Sequence, residues 1–507
     1  MFKGLTVPSV KRAVHFSPLS AKASGAAQGR RACIVSNRVM SPATTEHLAY
    51  QMQADGWRIT LLDSSEPNIP DQPIEGVEYQ RLAGLYRQTN WYIQMQSLTA
   101  YHWLRTQSFD LIIFCDECAV GFYSCSARRG NLALIQTPII MATSQLHARR
   151  LEQAMQFPTG RHDFEIDFME RETVKRADAL LVLESETGLW LQESGWTLPA
   201  SIACLATDQP LVMESLGSWL LNLIQTPVLS AQPSDKSIFI SVCMAVYNRP
   251  DWLRGALRSL QQQTYAHFEV IVVDDGSTNP AMRNLQNEFE PLFNERRWRW
   301  IRQDNTGPAS ARNHAAKIAR GDHLLFMDDD NIAYPDELER FALAARQGYD
   351  ILACIIGMHS ESEFAFPPTA HLPERAGSAT RPVGWTPIGG NLLLAVYVNV
   401  LGETNSLFRR NVFEKLGGFS THKSAVLEDF ELLTRAIIAG YRIDIIPEVL
   451  MLYRRTRQSR SMTQNIFEGH LNSLKPIADL MPESLRPLLL AIRNEWYLRH
   501  NGRRSQE

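Results

Sequence analysis

Apolar positions along this chain come in two alternating forms: short continuous runs, and longer stretches in which hydrophobic residues recur at helical spacing. Residues 32–36 (ACIVS) have the unbroken apolar character of a strand buried on both faces. Residues 44–54 carry Leu48 and Met52 at helical spacing and stop before Gly56, and 58–62 read as a second strand. Further apolar runs follow at 109–116 (FDLIIFCD), 138–142 and 179–183, separated by helical stretches. Such alternation predicts a parallel sheet covered on both faces. The periodicity is lost over 226–236, where Pro227, Ser230, Gln232, Pro233 and Ser234 suggest an interdomain linker.

The alternation then restarts. Residues 237–246 predict a strand, 251–262 a helix with Leu253, Leu257 and Leu260 on one face, and 268–274 a strand running into Asp274-Asp275-Gly276-Ser277. Pro308 suits the first position of a helix over 309–319, and a strand over 323–327 leads into Asp328-Asp329-Asp330. Both acidic clusters therefore fall just beyond the carboxyl ends of strands, where open α/β sheets bind ligands. Residues 465–500 are helix-like, with Leu471, Leu474, Ile477 and the apolar run 488–492, a pattern for packing or self-association. The expected organisation is α/β: a flexible basic tail (1–30), a Rossmann-like parallel-sheet domain (31–225), a linker (226–236), a second α/β domain (237–464) and a helical tail (465–507).

Composition narrows the function. The 507 residues are 45% hydrophobic and 21% charged, with 51 basic against 54 acidic side chains, so the chain can bury large cores and has no excess charge to capture nucleic acid. Seven cysteines are sparse and odd in number, which fits a reducing compartment better than a disulfide scaffold. Cys115, Cys118 and Cys125 form the one cluster; with no obvious fourth ligand they read as buried thiols rather than a zinc site. The apolar run 392–401 is about half the length of a membrane-spanning helix and reads as core. The first 45 residues lack Asp and Glu but contain Lys3, Lys11, Arg12, Lys22, Arg30, Arg31 and Arg38. They resemble a transit peptide, and read equally as an internal linker of a longer protein or a basic tail.

The acidic triplet carries the chemistry. Adjacent carboxylates at the edge of a core repel one another, and a divalent cation relieves this; oxygen-only donors suit Mg²⁺ or Mn²⁺, which complete their shell with phosphate. Asp274–Ser277 ends a neighbouring strand, and Gly307 leads into a helix N-terminus, a natural partner for phosphate. Together these suggest a metal–diphosphate ligand. Glu428-Asp429 precedes an amphipathic stretch, Phe430, Leu433 and Ile437, that stops at Gly440. The pair reads either as an N-terminal charge pair favoured by the helix dipole, or as the source of a general base for an acceptor hydroxyl.

Six elements in order carry a family resemblance: 242–250 (VCMAVYNRP), 272–277 (VVDDGS), 305–313 (NTGPASARN), 326–330 (FMDDD), 402–410 (GETNSLFRR) with Gly417-Gly418-Phe419, and Glu428-Asp429. Together they resemble glycosyltransferase family 2, inverting enzymes of the GT-A fold. The resemblance covers roughly 237–462. It implies transfer of a sugar from a nucleoside diphosphate donor, with UDP the expected nucleotide, to a hydroxyl of a glycan, lipid-linked or protein acceptor in polysaccharide or glycoconjugate biosynthesis. It implies that Ala245, Tyr247, Asp275, Asp329 and Arg312 line the donor nucleotide, that Asp328 and Asp330 hold Mn²⁺ or Mg²⁺, and that Asp429 is the catalytic base. Ala245-Val246 stands where the family often has Pro-Thr, and Asn331 replaces an acid often found after the metal pair. The Gln-x-x-Arg-Trp motif of processive synthases is absent.

Arg454 and Arg455, followed by Arg457 and Arg460, read as a basic loop able to close over a diphosphate, or as a solvated charge run. Trp298 and Trp300 fit the inward face of a strand. Acceptor choice is expected within 358–401, which contains His359, His371, Trp385 and Gly389-Gly390. Residues 31–224 resemble the amino-terminal half of a family 4, GT-B-type glycosyltransferase. That half is expected to be non-catalytic alone and to dock an acceptor or partner; no Gly-x-Gly-x-x-Gly follows its first strand. The expected location is cytoplasmic, with peripheral contact at the inner membrane face and self-association as further possibilities. The competing reading is a degenerate transferase fold that only binds carbohydrate or nucleotide, and behind it a sugar nucleotidyltransferase.

Overall fold

The computed structural model describes residues 17–20, 27–37, 42–66, 68–85, 92–115, 118–205, 214–225, 237–360, 381, 383–421, 427–455 and 466–501. The chain divides into two compact units, Met1–Ala231 and Gln232–Glu507. The boundary falls inside the expected linker, whose residues 226–236 lie outside the described ones.

The first unit is built on strands β1 (Ser17–Ser20), β2 (Arg31–Ser36), β3 (Arg58–Asp63), β4 (Glu78–Arg81), β5 (Leu111–Cys115), β6 (Ile139–Thr143), β7 (Ala179–Val182), β8 (Ser201–Cys204) and β9 (Glu214–Ser215). They lie in the order β4-β3-β2-β5-β6-β7-β8-β1-β9. The seven strands from β4 to β8 pair in parallel throughout. The runs read from the sequence fill its centre: Ile34, Ile113, Ile140 and Leu181 are fully buried, and Leu48 and Met52 pack on them from the helix Pro42–Ala54. One expectation is corrected. Residues 1–30 are not wholly a tail, because Ser17–Ser20 pairs in parallel with β8 and β9 and Ala27 is buried with its N–H on Asp55 O. Only a remote partner makes so short and polar a segment a strand, so no local pattern betrays it. Cys115 and Cys125 are buried thiols, and burial raises that of Cys125 to about 12; the side chain of Cys118 lies outside the described residues.

The second unit holds β10 (Ile240–Val246), β11 (Phe268–Asp274), β12 (Arg299–Arg302), β13 (His323–Phe326), β14 (Ile332–Ala333), β15 (Ile351–Ser360), β16 (Leu407–Arg409) and β17 (Ile443–Arg455). Their order is β12-β11-β10-β13-β16-β15-β17-β14. The first four pair in parallel, and β16 then runs antiparallel to both β13 and β15. The parallel half matters for the candidate site, because it brings the carboxyl ends of β10, β11 and β13 to one edge. Trp298 and Trp300 both pack on Phe293, at 5.5 and 5.7 Å between ring centres; Trp298, just before β12, is buried and Trp300 half-buried. The apolar run near 392 forms the helix Leu392–Tyr397. Its Val396 shares a cluster with Leu474, Ile477 and Leu489, so the two closing helices, Ile466–Ala478 and Arg486–Asn501, complete the core of this unit. Among the described residues no helix is long and apolar enough to cross a membrane.

Candidate active site

Each parallel strand of the second unit delivers a polar loop to the same edge. After β10, Asn248 adopts φ 59°; its side-chain oxygen accepts the N–H groups of Thr278 and Asn279 at 2.8 Å each, and its own N–H reaches Ser277 Oγ at 2.8 Å. These bonds lock the first loop to the second. Ala245 is half-buried beside it and Tyr247 is 46% exposed, leaving an aromatic face open to a ligand.

After β11, the buried carboxylate of Asp275 organises a third loop. Its Oδ1 accepts from Gln303 Nε2 at 2.8 Å and Thr306 N–H at 3.0 Å, and its Oδ2 accepts the N–H of Gly307 at 2.8 Å. Gly276 (φ 79°) permits this approach, since a Cβ there would lie 2.9 Å from the Asn305 nitrogen. The Gly307 amide, expected to meet phosphate, is thus engaged by Asp275, a carboxylate at the start of the helix Pro308–Ile318.

That helix aims Arg312 inward. Arg312 is 6% exposed, donates from Nη2 to Asp328 Oδ1 at 2.6 Å and from Nη1 to Glu428 Oε1 at 2.9 Å, and lies 5.4 Å from the centre of the Phe419 ring. The next residue, Asn313, grips Phe419 through both its N–H (2.9 Å) and its carbonyl (2.8 Å). Arg312 was expected at the donor nucleotide; its guanidinium joins the acidic triplet to the helix Glu428–Ile438. Strong ion pairing holds this guanidinium charged despite burial.

The triplet after β13 is crowded. Burial, then Asp330, raises Asp329 to about 8, and burial, then Asp328, raises Asp330 to about 6. Arg249 partly offsets this, donating from Nη1 to Asp329 Oδ1 at 3.2 Å and Asp330 Oδ2 at 3.4 Å. Asp429, half-buried in the first turn of the helix Glu428–Ile438, is raised to about 6 by burial and then by Glu428. Thr404 Oγ1 donates to its Oδ2 at 3.5 Å. Glu403 is pushed far up by burial and by the charges of Asp328 and Asp429. The fields of Glu403, Asp328, Asp330 and Asp429 all bear on Tyr453 of β17, raising its hydroxyl further.

Three acidic segments distant in sequence, 328–330, Glu403 and 428–429, therefore come together at this edge beside Arg249, Arg312 and Tyr453. Among the described residues no three His, Cys, Asp or Glu side chains close tightly enough to cage an ion. The donor set is nonetheless hard oxygen whose like charge Arg249 and Arg312 relieve only in part, which fits a divalent ion held by one or two carboxylates and completed by phosphate. Sequence reasoning assigned no role to Glu403 or Arg249. Glu403 lay within a recognised motif, but 73 positions separate it from Asp330 and only the sheet joins them. Arg454 is half-buried, its guanidinium 5.7 Å from the centre of the Trp252 ring; the side chain of Arg455, and Arg457 and Arg460 entirely, lie outside the described residues, as does His371. Trp385 exchanges backbone hydrogen bonds with Ile356, and Gly389 (φ 89°) passes so close to Ile443 O that a Cβ would lie 2.5 Å away.

The second unit thus presents a half-parallel sheet with hydrogen-bonded polar loops and clustered acidic side chains at one edge. Residues 241–417 match the family model described as Glycosyl transferase family 2. An uncharacterized glycosyltransferase of Haemophilus influenzae is 29% identical over 202 residues, covering 39% of this chain and 62% of that protein. The O-antigen biosynthesis protein RfbC of Myxococcus xanthus is 28% identical over 240 residues, 44% of this chain and 18% of that one. Glycosyltransferase GlyA of Streptococcus pneumoniae is 36% identical over 100 residues, 20% of this chain and 14% of that one. The chain thus spans between 14% and 62% of the length of these relatives. Among solved structures, S. aureus TarS 1–349 in complex with UDP-GlcNAc matches with a TM-score of 0.39 at 20% identity, covering 52% of this chain and 73% of that one. The mannosyltransferase PcManGT from Pyrobaculum calidifontis, in complex with GDP-Man and Mn²⁺, matches with a TM-score of 0.36 at 17% identity, covering 52% and 70%.

Proposed function

We infer that the second unit is a metal-dependent, inverting glycosyltransferase that moves a sugar from a nucleoside diphosphate, with UDP the expected carrier, to an acceptor hydroxyl. The observation that carries this reading is the placement of Asp429. It lies within the field of Asp328, at the edge to which the loops of Asp275 and Tyr247 also come. A binding module has no use for a base there.

Tyr247 and the loop tied by Asp275 would bind the nucleoside. Asp328 and Asp330 would hold Mn²⁺ or Mg²⁺, whose chemistry is to neutralise charge on the departing diphosphate. Asp429 accepts the proton of the acceptor hydroxyl as that oxygen attacks the anomeric carbon from the face opposite the diphosphate. A carboxylate raised to about 6 remains mostly ionised at neutral pH and is more basic than an ordinary aspartate, which suits this role. The Thr404 hydroxyl, donating to Oδ2, and the Phe430 N–H, donating to Oδ1 at 2.8 Å, keep it oriented. The first unit would dock the acceptor or a partner, and the chain would act in polysaccharide or glycoconjugate assembly on the cytoplasmic side.

Asp429→Asn tests this directly. Transfer should fall by about 10²–10⁴-fold while donor affinity, read by calorimetry, stays within about twofold. Collapse of donor binding in that variant would make Asp429 a structural or metal-site residue and refute its role as base.

A further inference from the structure

Arg249 ends the loop after β10 and caps the helix Pro250–Gln261. It bonds two members of the acidic triplet through one nitrogen, to Asp329 Oδ1 at 3.2 Å and Asp330 Oδ2 at 3.4 Å. The carboxylates are walled in, with 7% of the Asp329 side chain and 14% of that of Asp330 accessible, whereas Arg249 retains 32%. The guanidinium therefore covers the open side of a fixed acidic site. Its carbon lies 4.7 Å from the centre of the Trp252 ring, on the same helix, and Arg454 reaches that ring at 5.7 Å. A guanidinium is weakly hydrated and stacks well on indole, so Trp252 offers Arg249 a surface on which to turn without entering bulk water.

A divalent ion on Asp330 and a guanidinium on the same carboxylate compete for oxygen lone pairs and repel each other. We propose that Arg249 is the resident counter-cation of the acidic triplet, that it cedes Asp330 to a divalent ion by turning on the face of Trp252, and that this exchange sets the affinity of the site for the ion. The inference rests on the metal reading of Asp328 and Asp330. It concerns a residue to which that reading assigns nothing, and it accounts for how buried like charges are tolerated before an ion arrives.

The test is Mn²⁺ binding to the full chain without nucleotide, followed by the electron paramagnetic resonance of free Mn²⁺. Arg249→Gln should bind Mn²⁺ about fivefold more tightly than wild type, the worth of a partly exposed ion pair. Arg454→Gln removes a charge whose field also reaches Asp330 and should change affinity by less than about twofold. Equal or weaker binding in Arg249→Gln overturns the proposal, as does equal tightening in Arg454→Gln, which would reduce the effect to general field. Where wild type binds Mn²⁺ and Asp330→Asn does not, a flat Arg249→Gln result sinks this inference alone; where no variant binds, the metal reading falls with it. A second readout needs no Arg249 variant. Mg²⁺ should change the tryptophan fluorescence of wild type and not that of Trp252→Phe, and a change that persists in Trp252→Phe contradicts the movement.

Discussion

Replacing Arg312 with methionine removes one guanidinium from between two carboxylates and keeps most of the side-chain volume. Two consequences follow, and they separate experimentally. Breaking a buried pair typically costs about 3–5 kcal/mol; Asp328 and Glu428 retain 25% and 11% of their side-chain surface, so solvent screening favours about 3 kcal/mol or less. The second consequence is electrostatic. Arg312 lowers the pKa of Asp429, whereas burial, Glu428 and Asp328 raise it, with Glu403 close enough to feel its charge. Losing the guanidinium must therefore move Asp429 above about 6, by about one unit for one nearby charge. Because a general base works ionised, the acid limb of kcat/KM moves to higher pH. From ionisation alone, activity relative to wild type falls about twofold at pH 7 and about fivefold at pH 6. Glu428→Gln removes a raising charge and must move the limb the other way, and the double variant should return it towards wild type. The assay is kcat/KM for transfer between pH 5 and 9, with circular dichroism to confirm folding. Limbs that coincide in all four proteins, or that move with opposite sign, would refute the placement of Arg312 and Glu428 around the base; the Glu428→Gln arm stands even if Arg312→Met does not fold.

Glu337 is fully buried, and burial raises its carboxyl from an ordinary 4.5 to about 8, while Asn405 Nδ2 donates to Oε1 at 2.6 Å. Between those values the folded state binds more protons than the unfolded one, so the contribution of Glu337 to stability is full below pH 4.5 and lost as pH rises through 8. Glu337→Gln should match wild type in Tm near pH 5 and exceed it increasingly up to pH 8; parallel curves would contradict a buried, protonated Glu337. Asp275→Asn places an N–H against at least one of the three donors that its carboxylate now accepts, costing about 1–3 kcal/mol. UDP affinity by calorimetry should drop at least about tenfold, and unchanged affinity would separate the loop at 303–307 from the nucleotide.

Continuous apolar runs made the parallel strands legible. β11 was read without error and the carboxyl ends of β10 and β13 to within one residue, although the start of β10 was placed three residues early, because a strand buried on both faces has few polar positions to blur its limits. The same ends located Asp275, Asp328 and Asp330, since chemistry at a sheet edge follows wherever the strand stops. The role of Arg312 was less legible. A helix of Ala309, Ala311, Ala315 and Ala316 buries several faces, and its spacing does not say that the arginine turns inward to two carboxylates. Glu403 and Arg249 join the pocket only through the antiparallel insertion of β16 and the capping turn after β10, contacts between segments far apart in the chain. Ser17–Ser20 is the extreme case, a strand made entirely by its neighbours.

The central claim is that this acidic edge catalyses glycosyl transfer. The most direct measurement is release of nucleoside diphosphate from a panel of nucleotide sugars by the full chain, with Mn²⁺ or EDTA, and the anomer of any product read by nuclear magnetic resonance. The account predicts turnover of at least one donor, its abolition by EDTA and by Asp429→Asn, and a product inverted at the anomeric carbon. Absence of turnover with every donor, together with no nucleotide-dependent shift in Tm, would contradict it, and a product of retained configuration would contradict the assignment of Asp429.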